Sequence, residues 1–301
     1  MAYIPSFVTA SREGRLPAIV ERLYALMDKC GLCPRRCKVN RRAGETGVCG
    51  ASAQLVISSA FAHFGEEPPL TGMFGSGTVF LAHCSLRCAF CQNFDISHGG
   101  SGHACSPPEL ADIMLGLQRQ GCHNINFVTP THYAPQIVEA LGTAAAKGLE
   151  LPVVWNCGGY ESMEALRLLD GVVDIYMPDV KFFDKNSAKK YYKAPDYPET
   201  IKAALKEMRR QAGDLALDPR GIAQKGLLIR HLVMPNGGAD TAEILKYIAE
   251  EISIDSYVNI MDQYRPLYRA NKFPEINRRP TSGEFEAAIA TARQLGLHRG
   301  F

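Results

Sequence analysis

The chain of 301 residues lacks three features that would each indicate a particular class of protein. No apolar run approaches the roughly 18 residues that a membrane-spanning helix needs. Neither charge dominates, because 33 basic and 31 acidic residues are interspersed and leave a formal net charge of +2. This balance argues against a general nucleic-acid or membrane-surface binder. The N-terminus has no basic start followed by an apolar core, so we expect a cytoplasmic protein.

Ten cysteines are present, and seven of them fall into two tight groups. In a reducing compartment, such groups indicate metal ligands and not a disulfide framework. We expect the three isolated thiols to be small core or loop residues. The N-terminal group consists of Cys30, Cys33, Cys37 and Cys49, the second group, here called the cysteine loop, of Cys84, Cys88 and Cys91, and the isolated thiols are Cys105, Cys122 and Cys157.

The cysteine loop has the sequence Cys84-Ser-Leu-Arg-Cys88-Ala-Phe-Cys91, with three and then two residues between its thiols. A closed four-iron cluster takes four cysteine thiolates, so three thiolates leave one iron free to hold a small molecule. Zinc is an alternative, with His83 or His98 as the fourth ligand, although zinc fingers usually begin with a shorter hook. Three unrelated buried thiols are the other alternative.

Phe90 stands directly before the last cysteine and completes a pattern that resembles the signature of the radical S-adenosylmethionine superfamily. The wider segment HCSLRCAFCQNFDIS is similar to the cluster loop of the enzymes that activate glycyl-radical enzymes. Further segments resemble the uncharacterised pyruvate formate-lyase activating-like proteins, namely CGLCPRRCKVNRRAGETGVCG, HFGEEPPLTG, GSGTVF, NINFVTPTHY, DIYMPDVKF, IRHLVMPN and IMDQY. The resemblance implies a [4Fe-4S] cluster on the cysteine loop, with S-adenosylmethionine on the open iron and its adenine against Phe90.

From residue 78 onward, short β-branched runs alternate with amphipathic stretches, which is the pattern of βα units on a parallel sheet. Six strands are too few for a closed eight-fold barrel and match the six-unit partial barrel that the resemblance implies. The predicted strands are 78–82, 124–129, 152–156, 174–178, 227–234 and 257–263. The predicted helices are 107–120, 135–147, 162–169 and 199–211, and capping signals at Asp240 and Thr281 predict two more.

The expected architecture is therefore an α/β fold, a partial (β/α)6 barrel with a cysteine-rich N-terminal segment. Residues 1–77 are expected to form a metal-binding segment and a loop, residues 78–265 the barrel, and residues 266–301 a helical extension. The stretch 65–77 is rich in glycine and proline and is interpreted as a connecting loop or a lid.

Polar residues stand at the C-terminal ends of the predicted strands, where βα barrels collect their chemistry. Asp179-Val180-Lys181 resembles the Asp-x-Lys of the activating enzymes, in which both side chains contact the cofactor. Alternation along a strand places both on one face, and a surface ion pair of little energetic value is the alternative. Asn156 aligns with the Asp of the family's Asp-Thr-Asn-Gly, which implies a third contact with the cofactor.

Two histidines are further candidates for contacts with the cofactor. The Gly-Gly-Glu that the family carries after its second strand is replaced by Thr129-Pro130-Thr131-His132-Tyr133, which puts His132 at roughly the acidic position. Without the family, these residues indicate only a turn and a helix cap. Arg230-His231 resembles a pair on the fifth strand of the family. Only one of two neighbours in a strand faces the interior, and His231 is the predicted one.

The N-terminal group offers four thiols, which is enough to close a metal site. Zinc and a second four-iron cluster both accept four thiolates, and the spacing does not decide between them. Basic side chains surround the thiols and could offset the negative charge of either metal, or contact a nucleic acid. These side chains are Arg35, Arg36, Lys38, Arg41 and Arg42.

Two functions remain after these observations. The first is an enzyme that cleaves S-adenosylmethionine to a 5′-deoxyadenosyl radical, which removes a hydrogen atom from a substrate. The resemblance implies that the substrate is a glycine of a partner protein. It also implies an electron donor such as flavodoxin or ferredoxin. The second is a binding protein for RNA or a protein partner, stabilised by zinc or iron in its cysteine groups. Only the first function needs Asn156, Asp179 and Lys181 on the same rim as the cysteine loop.

Overall fold

A computed structural model describes residues 3–301, and within them nine strands form one sheet. In chain order the strands are β1 (Leu55–His63), β2 (Ser76–Leu81), β3 (His103–Cys105), β4 (Ile125–Val128), β5 (Val153–Cys157), β6 (Ile175–Val180), β7 (Ala216–Leu217), β8 (Ala223–Leu232) and β9 (Tyr257–Met261). The order across the sheet is β3-β1-β2-β4-β5-β6-β8-β7, with β9 also paired to β8.

Six of these strands are mutually parallel, namely β2, β4, β5, β6, β8 and β9. They are the six strands predicted from the sequence, and they confirm the partial barrel. Parallel strands covered on both faces are apolar along their whole length, and β5 is buried throughout. The register between β6 and β8 places Asp179 opposite Arg230. Charged side chains from two neighbouring strands therefore meet at one point of the sheet.

Eleven α-helices occur within residues 3–301. They are α1 (Ser6–Arg12), α2 (Leu16–Asp28), α3 (Pro68–Thr71), α4 (Phe94–Ser97), α5 (Pro107–Arg119), α6 (Ala134–Ala146), α7 (Met163–Leu168), α8 (Lys185–Tyr192), α9 (Tyr197–Ala212), α10 (Thr241–Tyr247) and α11 (Ser282–Gln294). Capping boxes hold the starts of α5 and α11, as their sequences predict: Ser106 pairs with Glu109, and Thr281 with Glu284. A π-helical turn, Ile248–Ile252, follows α10.

The predicted cap at Asp240 is wrong in its chemistry, although α10 begins where expected. Asp240 makes no side-chain cap and has a left-handed backbone, with φ of 51°. Its carboxylate instead accepts the N–H groups of Phe183 at 3.1 Å and Asp184 at 2.7 Å. The residue therefore fastens the segment after β6 to the start of α10, and the sequence pattern alone could not distinguish this use from a cap.

The N-terminal residues share the sheet with the barrel. Strand β1 pairs antiparallel with β2, and β3 pairs antiparallel with β1. Helices α1 and α2 pack on α6. Asp174, directly before β6, accepts the N–H of Ser6 at 2.7 Å and the hydroxyl of Tyr3 at 2.6 Å. The first helices are therefore anchored to the barrel strands by polar contacts as well as by packing.

The loop between β1 and β2 fills the barrel at the N-terminal ends of its strands. Leu70 is fully buried in α3, in a cluster with apolar residues of β5, β6 and β8. Asn124, directly before β4, donates to the carbonyl of Leu70 at 2.8 Å. The segment 65–77, which the sequence indicates to be a connecting loop or a lid, does connect β1 to β2, and its residues 65–72 form a plug at the end of the barrel away from the cysteine loop. No described helix is long and apolar enough to cross a membrane.

Candidate active site

The cysteine loop follows β2 and forms one wall of a cavity at the C-terminal ends of the parallel strands. Cys84, Cys88 and Cys91 all line this cavity. The loop turns sharply, because His83 and Arg87 both have left-handed backbones, with φ of 71° and 52°. Such conformations are costly for residues other than glycine and concentrate at functional sites. The local backbone is thus held in an unusual shape that presents three thiols to one space.

The opposite wall carries charged and polar side chains from β5, β6 and β8. Arg230 donates through Nε to Oδ1 of Asp179 at 2.6 Å and through Nη2 to Oδ1 of Asn156 at 2.8 Å. Lys181 donates to the second carboxylate oxygen of Asp179. All four side chains line the same cavity as the thiols. The predicted Asn156, Asp179 and Lys181 are therefore brought together, and Arg230 joins them.

The charged groups of this wall influence one another's pKa values. Burial alone would raise the pKa of Asp179, but the cations of Arg230 and Lys181 hold it at about 2. Burial raises the pKa of the Cys88 thiol, and Lys181 opposes that rise. Lys181 is thus near both a carboxylate and a thiol. A cation so placed can neutralise a thiolate of the loop or the carboxylate of a bound molecule.

The donor set fits an iron–sulfur cluster in its chemistry. The three thiols are free of disulfides and lie on one wall of one cavity. Among residues 3–301, no three or more His, Cys, Asp or Glu side chains are already spaced to hold a metal ion. A cluster distributes its thiolates over separate irons and holds them further apart than a single ion does. Three thiolates facing cationic side chains suit such a group, and the polar opposite wall suits a zwitterionic ligand.

Phe90 lines the cavity among other aromatic rings. Its ring contacts those of Phe182, Tyr191, Tyr192 and Tyr264, with centroids 5.6 to 6.1 Å apart. The three rings whose interplanar angles are 69° to 77° are in edge-to-face contact, so the aromatic cluster is rigid. The resemblance to the radical S-adenosylmethionine superfamily implies an adenine against Phe90, and Phe90 does line the cavity.

The two predicted histidines lie outside the cavity. His132 is buried in the core, where a ring nitrogen is 2.8 Å from the carbonyl of Ala82, and burial lowers its pKa to about 3. His231 is fully buried and bonds the carbonyl of Val180 and the hydroxyl of Thr241. Because successive strand residues face opposite ways, Arg230 faces the cavity where His231 was predicted. Both histidines are structural residues here.

The segment that replaces the family's Gly-Gly-Glu contributes through its backbone. Thr129 lines the cavity with a φ of 62°, which is unusual for a β-branched residue. Its N–H donates to the carbonyl of Asn156 at 2.8 Å, which fixes the neighbouring strand end. Behind it, Thr131 donates to the carboxyl of buried Glu161 at 2.6 Å. Burial raises the pKa of Glu161 to about 7.

Two acidic residues that the sequence analysis did not single out complete the polar network. Glu66, in the plug, accepts from Nη1 of Arg230 at 3.3 Å, and burial raises its pKa. Its neighbour Glu67 accepts from Asn259 of β9 at 2.7 Å. The available signal was a pair of acidic residues in a short Gly- and Pro-rich segment, with no lysine or arginine nearby along the chain. Arg230 is therefore bonded both to the plug and to Asp179.

The N-terminal cysteines lie near one another in the folded chain. The segment doubles back on itself, because Cys30 donates its N–H to the carbonyl of Val39 at 2.9 Å and accepts the N–H of Lys38 at 3.2 Å. Burial raises the pKa of Cys33, and the other three thiols of the group are near enough to raise it further. All four are free thiols. As they stand, the four thiols are not spaced to hold a single metal ion, so a metal at this group stays a prediction.

Two of the five basic residues around this group are structural. Arg41 is fully buried and donates to the carbonyls of His132 and Ser52, both at 2.6 Å. The guanidinium of Arg35 donates to four backbone carbonyls, two in the cysteine loop and two at the end of α8. These carbonyls belong to Ser85, Leu86, Tyr192 and Lys193. Arg35 thus joins the N-terminal group to the cysteine loop and is not available to a nucleic acid.

Comparisons with known proteins agree with this geometry. A model of the Radical SAM superfamily matches residues 78–216, a span that contains the cysteine loop, Asn156, Asp179 and Lys181. The chain is also similar to the uncharacterized protein MJ0674 of Methanocaldococcus jannaschii, at 34% identity over 288 residues. That match covers 92% of this chain and 78% of the archaeal protein. The similarity thus extends well beyond the barrel strands.

Proposed function

This chain belongs to the radical SAM superfamily, and we propose on that premise that Cys84, Cys88 and Cys91 hold a [4Fe-4S] cluster at which S-adenosylmethionine is cleaved. When bound, the cluster supplies one low-potential electron, and the cleavage yields methionine and a 5′-deoxyadenosyl radical. One observation carries the proposal: the three thiols share a cavity with Asn156, a carboxylate and two cations.

Residues of the polar wall hold and orient the cofactor. Lys181 provides a positive charge for its carboxylate, and Asp179 provides a negative charge for its amino group. Arg230 fixes Asp179 at 2.6 Å and Asn156 at 2.8 Å, so both side chains keep their direction before any ligand binds. Preorganised polar groups lose little free energy on binding. Phe90 offers an apolar ring for the adenine.

The radical removes a hydrogen atom from a substrate at the barrel mouth, and no general base is required for that step. By resemblance of the cysteine loop, the substrate is a glycine in a partner protein, and the chain acts as an activating enzyme. The electron comes from a small carrier protein such as flavodoxin or ferredoxin. We further propose that the N-terminal group binds a second [4Fe-4S] cluster or zinc, and that the protein works in the reducing cytoplasm, where its ten thiols stay free.

The decisive experiment measures 5′-deoxyadenosine after anaerobic reconstitution with iron and sulfide, reduction with dithionite and addition of S-adenosylmethionine. The wild type is compared with Cys88→Ala. Cys105→Ala is the matched control, because that residue is also a free, largely shielded thiol but lies in β3, outside the cavity. We expect product from the wild type and the control and none from Cys88→Ala. Product from Cys88→Ala, or none from a fully loaded wild type, would refute the proposal.

A further inference from the structure

A basic pocket of about 530 Å³ lies on the outer side of the cysteine loop. Six cationic side chains and no acidic one line it. They come from four parts of the chain: the N-terminal group, the cysteine loop, the end of α8, and the segment after β9. The six are Arg35, Arg87, Lys190, Lys193, Arg269 and Lys272. The pocket is thus assembled only in the folded chain.

Most of this positive charge is not neutralised by the protein. Among the ion pairs of residues 3–301, none involves Arg87, Lys193, Arg269 or Lys272. Lys193, Arg269 and Lys272 are also exposed to solvent. A concave surface with charge of one sign concentrates its electrostatic potential and steers oppositely charged partners.

The cysteine loop is the wall between this pocket and the active-site cavity. Cys84 and Cys88 face the cavity, whereas Arg87 and Ala89 face the basic pocket. Neighbouring residues of the loop thus line opposite sides of this wall. Ala89 fixes it on both sides, because its N–H donates to the carbonyl of Tyr191 and its carbonyl accepts the N–H of Arg269, each at 2.9 Å. A partner in the basic pocket would therefore be separated from the thiols by one chain segment.

Three residues lining the basic pocket have left-handed backbones although none is glycine. The φ angles are 52° for Arg87, 54° for Lys193 and 55° for Tyr268. Each costs free energy that glycine would avoid. This concentration of backbone strain is a second feature of the pocket, independent of its charge.

We propose that an acidic one-electron carrier protein docks on the basic pocket and delivers its electron through the cysteine loop. This inference rests on the proposed function, which needs such an electron, and on charge complementarity between four cations of the pocket that have no acidic partner and an acidic surface. The carrier is oxidised by one electron and S-adenosylmethionine is reduced by one. Its C5′–S bond breaks to give methionine and the 5′-deoxyadenosyl radical.

A binding measurement tests the docking without any turnover. Fluorescently labelled flavodoxin is titrated with the wild type, with the pocket variant Arg269→Glu/Lys272→Glu, and with the control Arg22→Glu/Arg119→Glu on helices α2 and α5. We expect at least tenfold weaker binding by the pocket variant at low salt and unchanged binding by the control. We also expect the wild type to lose affinity as salt is raised. Equal affinities of all three proteins, or preference for an RNA oligonucleotide, would overturn the proposal.

A turnover measurement separates this proposal from the function on which it rests. Formation of 5′-deoxyadenosine is driven either by dithionite or by enzymatically reduced flavodoxin. The pocket variant should keep its dithionite-driven rate within about twofold of wild type and lose at least tenfold of its flavodoxin-driven rate. Loss of both rates to the same extent would assign the pocket a structural role. Failure of the wild type with dithionite would refute the proposed function, while the binding measurement still decides the docking.

Discussion

Replacing Arg35 tests whether the N-terminal group is mechanically joined to the cysteine loop. In Arg35→Met, four backbone carbonyls lose their donor while most of the side-chain volume is kept. A hydrogen bond to a charged group contributes about 1.5–3 kcal/mol, and water reaches part of this site. Because the contributions of the four bonds are not additive, we expect the substitution to lower the free energy of unfolding by about 3 kcal/mol.

Arg35→Lys separates charge from geometry. Lysine keeps the positive charge but lacks the planar fork of five donors, so it cannot reach carbonyls in both the cysteine loop and α8. We therefore expect it to recover less than half of the lost stability. Arg36→Met is the matched control, because Arg36 is the exposed neighbour and makes no recorded side-chain hydrogen bond within residues 3–301.

Urea unfolding followed by circular dichroism gives the stability of each variant, and the iron bound at the cysteine loop after reconstitution gives the functional consequence. We expect Arg35→Met to bind less iron than Arg36→Met, since the loop that carries the thiols loses two of its carbonyl anchors. If Arg35→Met unfolds within about 0.5 kcal/mol of the control and binds the same iron, the reasoning about this junction is wrong.

Three further perturbations address other parts of the molecule. Glu161 has its folded pKa raised from 4.5 to about 7 by burial, so the fold holds a proton that the unfolded chain releases. Stability should fall by about 3 kcal/mol as pH rises from about 4.5 to about 7. Glu161→Gln should remove that slope in urea titrations, and an unchanged slope would contradict the assignment. Leu70→Ala should leave a cavity in the plug and lower the free energy of unfolding by about 2–5 kcal/mol in the same assay. A loss below about 1 kcal/mol would mean that the plug is not packed. Ser106→Ala should cost about 1 kcal/mol through the cap of α5, with Ser106→Asp near wild type, and equal losses in both would exclude the cap.

The barrel strands were predictable because they are short, largely buried and mostly apolar, and such runs are recognisable without any knowledge of their partners. The start of α5 was equally predictable, since Ser106 and Glu109 form a local pattern that depends on only four residues. Strand β1 was missed because its half-buried sequence LVISSAFAH has no regular alternation. Helix α8 was missed because it is short and polar.

The site was predictable only where it lies on a motif. The cysteine loop and the Asp179–Lys181 pair share one cavity, as expected, and the thiols as cluster ligands stay a prediction. His231 was chosen over Arg230 because sequence does not fix the phase of a strand, and a shift of one residue reverses every side chain. The contact of Glu66 with Arg230 joins residues 164 positions apart, and no local pattern encodes such a distance.

The plug has a kinetic consequence. Residues 65–72 fill the barrel at the N-terminal ends of its strands, and the cavity lies at the opposite end, with the cysteine loop. A cofactor and a large substrate that both enter at that end bind in a fixed order. S-adenosylmethionine has to arrive before a large substrate covers the entrance, and methionine and 5′-deoxyadenosine leave only after that substrate departs. Pre-steady-state mixing in both orders would therefore show a lag when the substrate is added first.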